Sequence, residues 1–237
     1  MKIAILSDIH GNHFALQNVL QQAKLEKVQK LLILGDIVGY YYYPDKVLEL
    51  LDEWECHMIK GNHEELLGQV LIGKLDIAFL NNKYGHGHSK AISLLTQNQK
   101  DLLLNLPNTL DLIIDNLKFL MSHGSPNDKD LYLYPDSNNE VLNLASKTNF
   151  DYVLIGHSHY QFIRKSNKTI LLNPGSVGQS RSTGGQADWA IIDTTNEVIK
   201  LKSTVYNTSK LLEDIDLIDP DNKYLKTILT RNTIEKV

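Results

Sequence analysis

Five short apolar segments of this chain each end in a polar cluster that joins glycine to aspartate, asparagine or histidine. The clusters are Ser7-Asp8-Ile9-His10-Gly11-Asn12, Gly35-Asp36-Ile37-Val38-Gly39, Lys60-Gly61-Asn62-His63-Glu64, Ser122-His123-Gly124-Ser125 and Gly156-His157-Ser158-His159. Short apolar runs of this kind are typical of buried strands, and open α/β sheets bind ligands outside the carboxyl ends of their strands. The pattern therefore predicts an α/β fold in which the five clusters meet at one edge.

The first third of the chain alternates short apolar runs with amphipathic stretches. Strand candidates are Lys2–Leu6, Leu31–Leu34 and His57–Lys60, and residues at helical spacing follow each of them. This βαβαβα order predicts a parallel sheet with right-handed crossovers.

Residues 81–105 are mostly helical in pattern, and short strands dominate after them. These strands are predicted at Thr109–Ile114, Leu117–Met121, Tyr152–Ile155, Gln161–Lys165, Thr169–Leu172, Ala187–Asp193 and Val198–Val205. Turns such as Ser166-Asn167-Lys168 join several of them, and one helix near Asn138–Ser146 interrupts them. We predict a single domain, 1–237, with two packed sheets in a core of about 1–206 and a C-terminal tail, 207–237, that contains a closing helix.

Composition narrows the classes of partner. Lys and Arg number 24 against 28 Asp and Glu, which gives a net charge of −4. A protein that holds duplex DNA by electrostatics shows the opposite balance, so we expect no nucleic-acid partner. The single cysteine, Cys56, excludes an internal disulfide. The first apolar run is too short for a signal peptide and no run could span a membrane, so we expect a cytoplasmic protein without membrane contact.

As candidate metal ligands, with His63 set apart, the five clusters supply two aspartates, one asparagine and four histidines. The seven residues are Asp8, His10, Asp36, Asn62, His123, His157 and His159. Singly, each cluster has an ordinary structural explanation, such as capping of a helix, but all five together do not. Imidazole and carboxylate without thiolate favour transition metals over calcium. Seven ligands suit two metals about 3.5–4 Å apart that share a bridging carboxylate.

The chain from about Lys2 to Tyr206 resembles the calcineurin-like metallophosphoesterases. The motifs that carry the resemblance are Asp8-x-His10, Gly35-Asp36-x-x-Gly39, Gly61-Asn62-His63-Glu64, His123-Gly124 and Gly156-His157-x-His159, in the order of the family. The segment 172–179, Leu-Asn-Pro-Gly-Ser-Val-Gly-Gln, is similar to the strand–turn signature of the small single-domain bacterial and archaeal subfamily. The resemblance implies a four-layer α/β/β/α sandwich of two mixed sheets with flanking helices.

The resemblance also implies a role for each site residue. Asp8, His10 and His159 would hold one metal, and Asn62, His123 and His157 would hold the other. Asp36 would bridge the metals together with a water or hydroxide, which would attack phosphorus in line. His63, expected to face solvent, would bind no metal and would assist the leaving group. The implied cofactors are two divalent transition-metal ions, manganese first, with iron, zinc or nickel as alternatives.

The implied activity is hydrolysis of a small phosphorylated substrate, a phosphodiester or a phosphomonoester, with a nucleotide-type substrate included. The chain lacks the arginine that protein Ser/Thr phosphatases and symmetrical dinucleoside-tetraphosphate hydrolases carry shortly after the Gly-Asp of the second motif. Arg181 is an alternative phosphate contact, or else an ordinary surface arginine. The alternatives to this activity are a nuclease or dinucleoside polyphosphate hydrolase of the same fold, and a non-catalytic scaffold.

Three weaker patterns have two interpretations each. Tyr40–Tyr43 favours half-buried packing, with a stacking platform at Tyr40 as the alternative. His13 is a candidate for the pocket mouth or an ordinary surface residue. The segment Tyr84-Gly85-His86-Gly87-His88 favours a loop or helix start over a lid. An exposed edge strand or the tail could pair two copies of the chain.

Overall fold

The computed structural model describes residues 1–145, 148–166 and 168–231. In chain order the strands of these residues are β1 (Lys2–Leu6), β2 (Lys30–Ile33), β3 (Cys56–Met58), β4 (Thr109–Ile114), β5 (Leu117–Ser122), β6 (Tyr152–Leu154), β7 (Gln161–Ser166), β8 (Thr169–Pro174), β9 (Gln186–Asp193) and β10 (Val198–Val205). The helices are α1 (His13–Leu25), α2 (Pro44–Leu51), α3 (Asn62–Leu71), α4 (Ile77–Tyr84), α5 (Gly87–Leu94), α6 (Gln97–Leu104), α7 (Asn139–Ala145), α8 (Ser209–Ile218) and α9 (Lys223–Thr230). The predicted helix end at Ser146, the turn residue Asn167 and the tail end 232–237 lie outside the described residues.

The strands form two mixed sheets of five strands each. The first sheet has the order β10-β9-β1-β2-β3, and the second has the order β4-β5-β6-β8-β7. Strands β1, β2 and β3 are parallel, as are β5, β6 and β8, while β9, β10, β4 and β7 pair antiparallel. The parallel sheet predicted for the first third of the chain is confirmed, and it continues into antiparallel strands from the C-terminal part.

Three apolar layers separate the helices and the sheets. Ile3 and Ile5 of β1 belong to a buried cluster between the sheets, together with Phe119 of β5. Ala4 and Leu6 belong to the cluster under the helices, because successive side chains of a strand point to opposite faces. A third cluster joins the far face of the second sheet to α7. The four-layer α/β/β/α arrangement is therefore confirmed.

Residues after Tyr206 form two helices that pack on this core. Leu211 of α8 and Leu225 of α9 are fully buried, and both belong to the cluster under the first sheet. The closing helix predicted for the tail is present as α8, and α9 was not predicted. None of the described helices combines the length and the hydropathy that crossing a bilayer requires.

Candidate metal centre

The structure brings all seven predicted ligands together at the carboxyl ends of the parallel strands. Asp8 and His10 follow β1, Asp36 follows β2, and Asn62 begins α3 just after β3. His123 follows β5, and His157 and His159 follow β6, so the second sheet supplies three of the ligands. The carboxylate and imidazole side chains among them are buried.

One group of ligand atoms comes from Asp8, His10 and His159. The Nε2 atom of His159 lies 3.1 Å from Asp8 Oδ1 and 3.2 Å from His10 Nε2. His10 Nε2 lies 3.8 Å from the same Asp8 oxygen, which has no hydrogen-bond partner among the described residues. These three side chains match the set that the family resemblance assigns to one metal.

A second group surrounds His123. Its Nε2 lies 3.1 Å from Asn62 Oδ1, 3.1 Å from His157 Nδ1 and 3.3 Å from Asp36 Oδ2. The same Asp36 oxygen lies 3.9 Å from His10 Nε2, in the first group. Asp36 therefore lies between the two groups, where a carboxylate could contact ions on both sides.

Backbone carbonyls define which ring nitrogens carry protons. The remote Nδ1 atoms face Val38 O for His10 at 3.2 Å, Leu34 O for His123 at 2.6 Å and Gln179 O for His159 at 3.1 Å. A ring that donates through Nδ1 presents the Nε2 lone pair to the centre, so His10 and His159 direct two acceptors at each other. Facing acceptors need a shared cation, and the residues therefore fit bound metal.

The acidic residues keep their negative charge despite burial. Burial raises the pKa of Asp8, but the nearby His159 and His123 together hold the pKa below the ordinary value. Burial likewise raises the pKa of Asp36, and the nearby His123, His63 and His10 together reverse this effect. The pKa of His123 is lowered by burial and raised more strongly by Asp36, to about 10. In the metal-free protein His123 is therefore protonated, and its proton supplies the positive charge that a metal ion would otherwise supply.

The backbone at the ligands is in the left-handed region. The φ angles are 54° at Asp8, 53° at His10, 53° at Asp36, 65° at His157 and 62° at His159. Non-glycine residues rarely adopt this region, and such conformations concentrate at functional sites. The backbone of these polar loops is therefore strained at five residues, in a conformation that directs their side chains toward the centre.

Glu64 fixes the loop that carries Asp36. Its buried carboxylate accepts hydrogen bonds from the backbone N–H groups of Asp36, Ile37, Val38 and Gly61, at 2.8–3.0 Å. Burial raises the pKa of Glu64 to about 7, and the Asp36 charge adds to this effect. Gly61 is required here, because a Cβ atom would lie 2.2 Å from Asp36 Oδ1. Glu64 is a positioning residue that the motif contains but that sequence reasoning did not single out.

His63 lies inside the site and not toward solvent, contrary to the expectation from sequence. Its side chain is 3% exposed and stacks on the ring of His88, 5.0 Å away at 13°. Tyr40 and Tyr84 each lie 4.9 Å from it. The cause is the packing of α5, which presents His88 behind the ring. A nitrogen of His63 also lies within 4.8 Å of ligand atoms of His10 and Asp36.

The three candidate substrate residues lie in different environments. Tyr40 is half-buried, and its ring meets His10 edge-on at 4.7 Å. Arg181 lies over the ring of Tyr224 at 5.7 Å and lines a cavity next to His159. His13 packs on other aromatic side chains, Phe14 at 3.8 Å and Tyr43 at 4.6 Å.

Packing explains the rest of the tyrosine run and the second histidine pair. Tyr41 and Tyr42 are buried in the core, as the packing interpretation predicts. The helix start predicted at residues 84–88 is confirmed, because α5 begins at Gly87. His86 Nδ1 contacts Asp219 Oδ1 at 2.6 Å, whereas His88 is fully buried against His63. Sequence reasoning missed His88 as part of the site, since nothing in the local pattern shows which way α5 faces.

The comparisons with known proteins agree with this geometry. Residues 1–197 match the calcineurin-like phosphoesterase superfamily domain. An uncharacterized protein of Methanocaldococcus jannaschii is 32% identical, with 90% of this chain and 91% of that protein covered. The phosphodiesterase YfcE of Escherichia coli strain K12 is 24% identical, with 85% and 91% covered. The crystal structure of a hypothetical protein from Pyrococcus horikoshii OT3 has the same fold, with a TM-score of 0.85, 21% identity, and 98% and 99% covered. The chain therefore belongs to the calcineurin-like phosphoesterase superfamily and is a metal-dependent phosphoesterase.

Proposed function

We propose that this protein hydrolyses small phosphodiesters with two divalent transition-metal ions, manganese first, bound at the centre described above. The observation that carries the proposal is the pair of ligand groups that meet at Asp36, in each of which neighbouring side-chain nitrogen and oxygen atoms lie 3.1–3.3 Å apart. The similarity to a bacterial phosphodiesterase supports a diester over a monoester.

The two ligand groups support one assignment of residues to ions. Asp8, His10 and His159 would hold one, Asn62, His123 and His157 the other, and Asp36 would contact both. When bound, such ions lower the pKa of water and neutralise phosphoryl oxygens. The protein contributes fixed ligand orientation, because carbonyl oxygens and Glu64 restrain the rings and the Asp36 loop.

His63 assists the leaving group in this proposal. Its Nδ1 is buried beside Gly39, where a Cβ atom would lie 2.2 Å from that nitrogen, so Nε2 is the atom that can face substrate. Burial lowers the pKa of His63, and Asp36 offsets the effect only in part. The ring is therefore neutral near pH 7 in the free protein and must take up a proton from solvent before it acts as an acid. As imidazolium it can donate the Nε2 proton to the leaving oxygen and return to neutral imidazole, whereas the neutral ring can only donate a hydrogen bond to a phosphoryl oxygen.

The test is metal analysis and turnover with bis(4-nitrophenyl) phosphate and 4-nitrophenyl phosphate, each with manganese, iron, zinc or nickel. We expect two ions per chain and a higher kcat/KM for the diester. Asp36→Asn should deplete both ions, because one carboxylate contacts both groups, whereas Asp111→Asn on exposed strand β4 should retain them. An unchanged second ion in Asp36→Asn would contradict a shared bridge, and lack of turnover in the two-metal protein would favour the scaffold alternative.

A further inference from the structure

An exposed aromatic loop follows β5 beside the metal centre. Tyr132 and Tyr134 are 49% and 39% exposed, while Leu133 between them is 1% exposed and packs in the cluster under α7. The backbone N–H of Tyr134 donates to Ser137 Oγ at 2.8 Å, and Arg164 Nη2 donates to the carbonyl of Pro135 at 2.8 Å. These contacts fix the loop, which presents two rings outward. A ligand that binds them therefore does not have to order the loop first.

The two rings continue the metal centre outward. The ring of Tyr132 lies 3.8 Å from the ring of His157 at 31°, and Tyr134 lies parallel to Tyr132 at 6.1 Å and 12°. Tyr160, directly after His159, meets Tyr134 edge-on at 5.9 Å. Tyr132, Tyr134 and Tyr160 together form what we call the tyrosine row, which runs from one ligand group to the other.

A cavity of about 380 Å³ lies at the Tyr160 end of this row, next to the first ligand group. Its lining residues are Pro135, His159, Tyr160, Gln161, Arg181, Ser182 and Asp188. The buried Nε of Arg181 has no hydrogen-bond partner among the described residues. The cavity therefore offers a ring, a guanidinium and hydroxyl groups, whereas the carboxylate of Asp188 is buried and already accepts hydrogen bonds from Ser182 and Ser203. Its size is that of a small-molecule site of about 300–1,000 Å³.

We propose that the tyrosine row and this cavity bind the nucleoside part of the substrate, which makes the substrate a phosphodiester of a single nucleoside. This inference rests on the phosphodiesterase activity proposed above. Any nucleobase can stack on tyrosine, and ribose hydroxyls match polar groups such as those of Arg181 and Ser182. The adjacent His159 places the phosphate of such a ligand at the metal centre. The small size of the cavity and the net charge of −4 favour a mononucleoside ester over a polymer.

The test compares two esters that release the same group, thymidine 5′-(4-nitrophenyl phosphate) and methyl 4-nitrophenyl phosphate, with the manganese-loaded protein. Because the leaving group is shared, the ratio of the two kcat/KM values reports the nucleoside alone. We expect the thymidine ester to be favoured about 10–100-fold, the range of one or two stacking contacts. Tyr134→Leu and Tyr160→Leu should each lower this ratio toward one, and Tyr134→Phe should keep it.

Phe79→Leu is the matched control, because Phe79 is an exposed aromatic residue of α4 outside the row, and it should leave the ratio unchanged. Metal content and thermal unfolding of each variant separate loss of the subsite from loss of the fold. Equal kcat/KM values for both esters in the wild-type protein, or a ratio unaffected by both leucine variants, would overturn the nucleoside subsite and leave the phosphodiesterase activity standing. If neither ester is hydrolysed, both the nucleoside subsite and the phosphodiesterase activity are overturned.

Discussion

His63 can be separated from the metal ligands by its kinetics. His63→Asn should lower kcat by about 10²–10⁴-fold, the usual contribution of proton transfer to a leaving group. The loss should be smaller for a 4-nitrophenyl ester than for an alkyl ester, because nitrophenolate leaves without protonation. Steady-state kinetics with both esters measure the difference, and equal losses would contradict the assigned role.

Metal content and stability complete this test. Asn62 precedes His63 in the same turn and contacts the second ligand group, so His63→Asn should keep both ions. Since the ring is buried against His88 and two tyrosines, the variant should lose about 1–3 kcal/mol of unfolding free energy. His123→Asn provides the comparison, because it should deplete metal. Metal loss in His63→Asn would show that His63 itself is a ligand.

The gathering of the seven candidate ligand residues at one edge could be predicted from sequence, but their conformation could not. Asp8, His10 and Asp36 stand in short motifs, and such motifs specify residue types at strand ends. Their left-handed φ angles follow from hydrogen bonds between loops that are distant in sequence. The backbone N–H of Asp8 donates to Gly35 O, and that of His10 donates to Asp36 O. No local propensity encodes contacts of this kind.

Between elements, the contact of α3 with the loop after β2 depends on one carboxylate. Glu64→Gln removes the charge that four backbone N–H groups share and replaces one acceptor oxygen with a donor. We expect a loss of about 2–4 kcal/mol of unfolding free energy, since buried donors are left unpaired. Metal affinity should fall too, because Asp36 is no longer held in place.

Glu65→Gln is the control for this change. Glu65 is the next residue of α3 and pairs with Lys129 on the surface, where an ion pair contributes about 0–1 kcal/mol. Urea unfolding of the metal-free proteins measures both variants, and metal titration measures the effect on the site. A Glu64→Gln protein as stable as Glu65→Gln would show that the four hydrogen bonds do not hold the loop.

The ten strands of the described residues could be predicted because the buried strands are continuous apolar runs bounded by turns, and half-exposed strands such as β4 alternate polar and apolar residues. The largest displacements are small: β3 was predicted at 57–60 and lies at Cys56–Met58. Helix α9 was missed although Leu225, Ile228 and Leu229 stand at helical spacing, because the helix is only eight residues long. Leu225 and Leu229 are buried only because α9 meets the core of the first sheet.

At the scale of the whole molecule, the metal centre joins the two sheets. Asp8 and Asp36 come from the first sheet, whereas His123, His157 and His159 come from the second. The sequence indicates that five polar clusters follow five strands, but it does not show how two separate sheets align. That alignment depends on the apolar layer between them, where Ile5 and Phe119 share one cluster.

Metal binding should therefore stabilise the entire fold. The ions bind the folded state, in which ligands from both sheets are assembled, so a metal concentration of about 1,000 times Kd adds about 4 kcal/mol to the unfolding free energy. For a chain of this size that is a rise in Tm of about 8–16 °C, at about 2–4 °C per kcal/mol. Asp36→Asn should lose most of this rise, and Asp111→Asn should keep it.

The rise in Tm should also depend on pH. In the metal-free protein Asp36 raises the pKa of His123 to about 10, so an entering ion must displace a proton from this ring. The proton stabilises the metal-free fold below the raised pKa and is lost as the pH increases through it, which makes metal binding stronger at higher pH. The manganese-induced shift in Tm should therefore grow from pH 6 to pH 9. Differential scanning calorimetry with and without manganese measures it, and a shift that is constant with pH would show that no ligand proton is displaced.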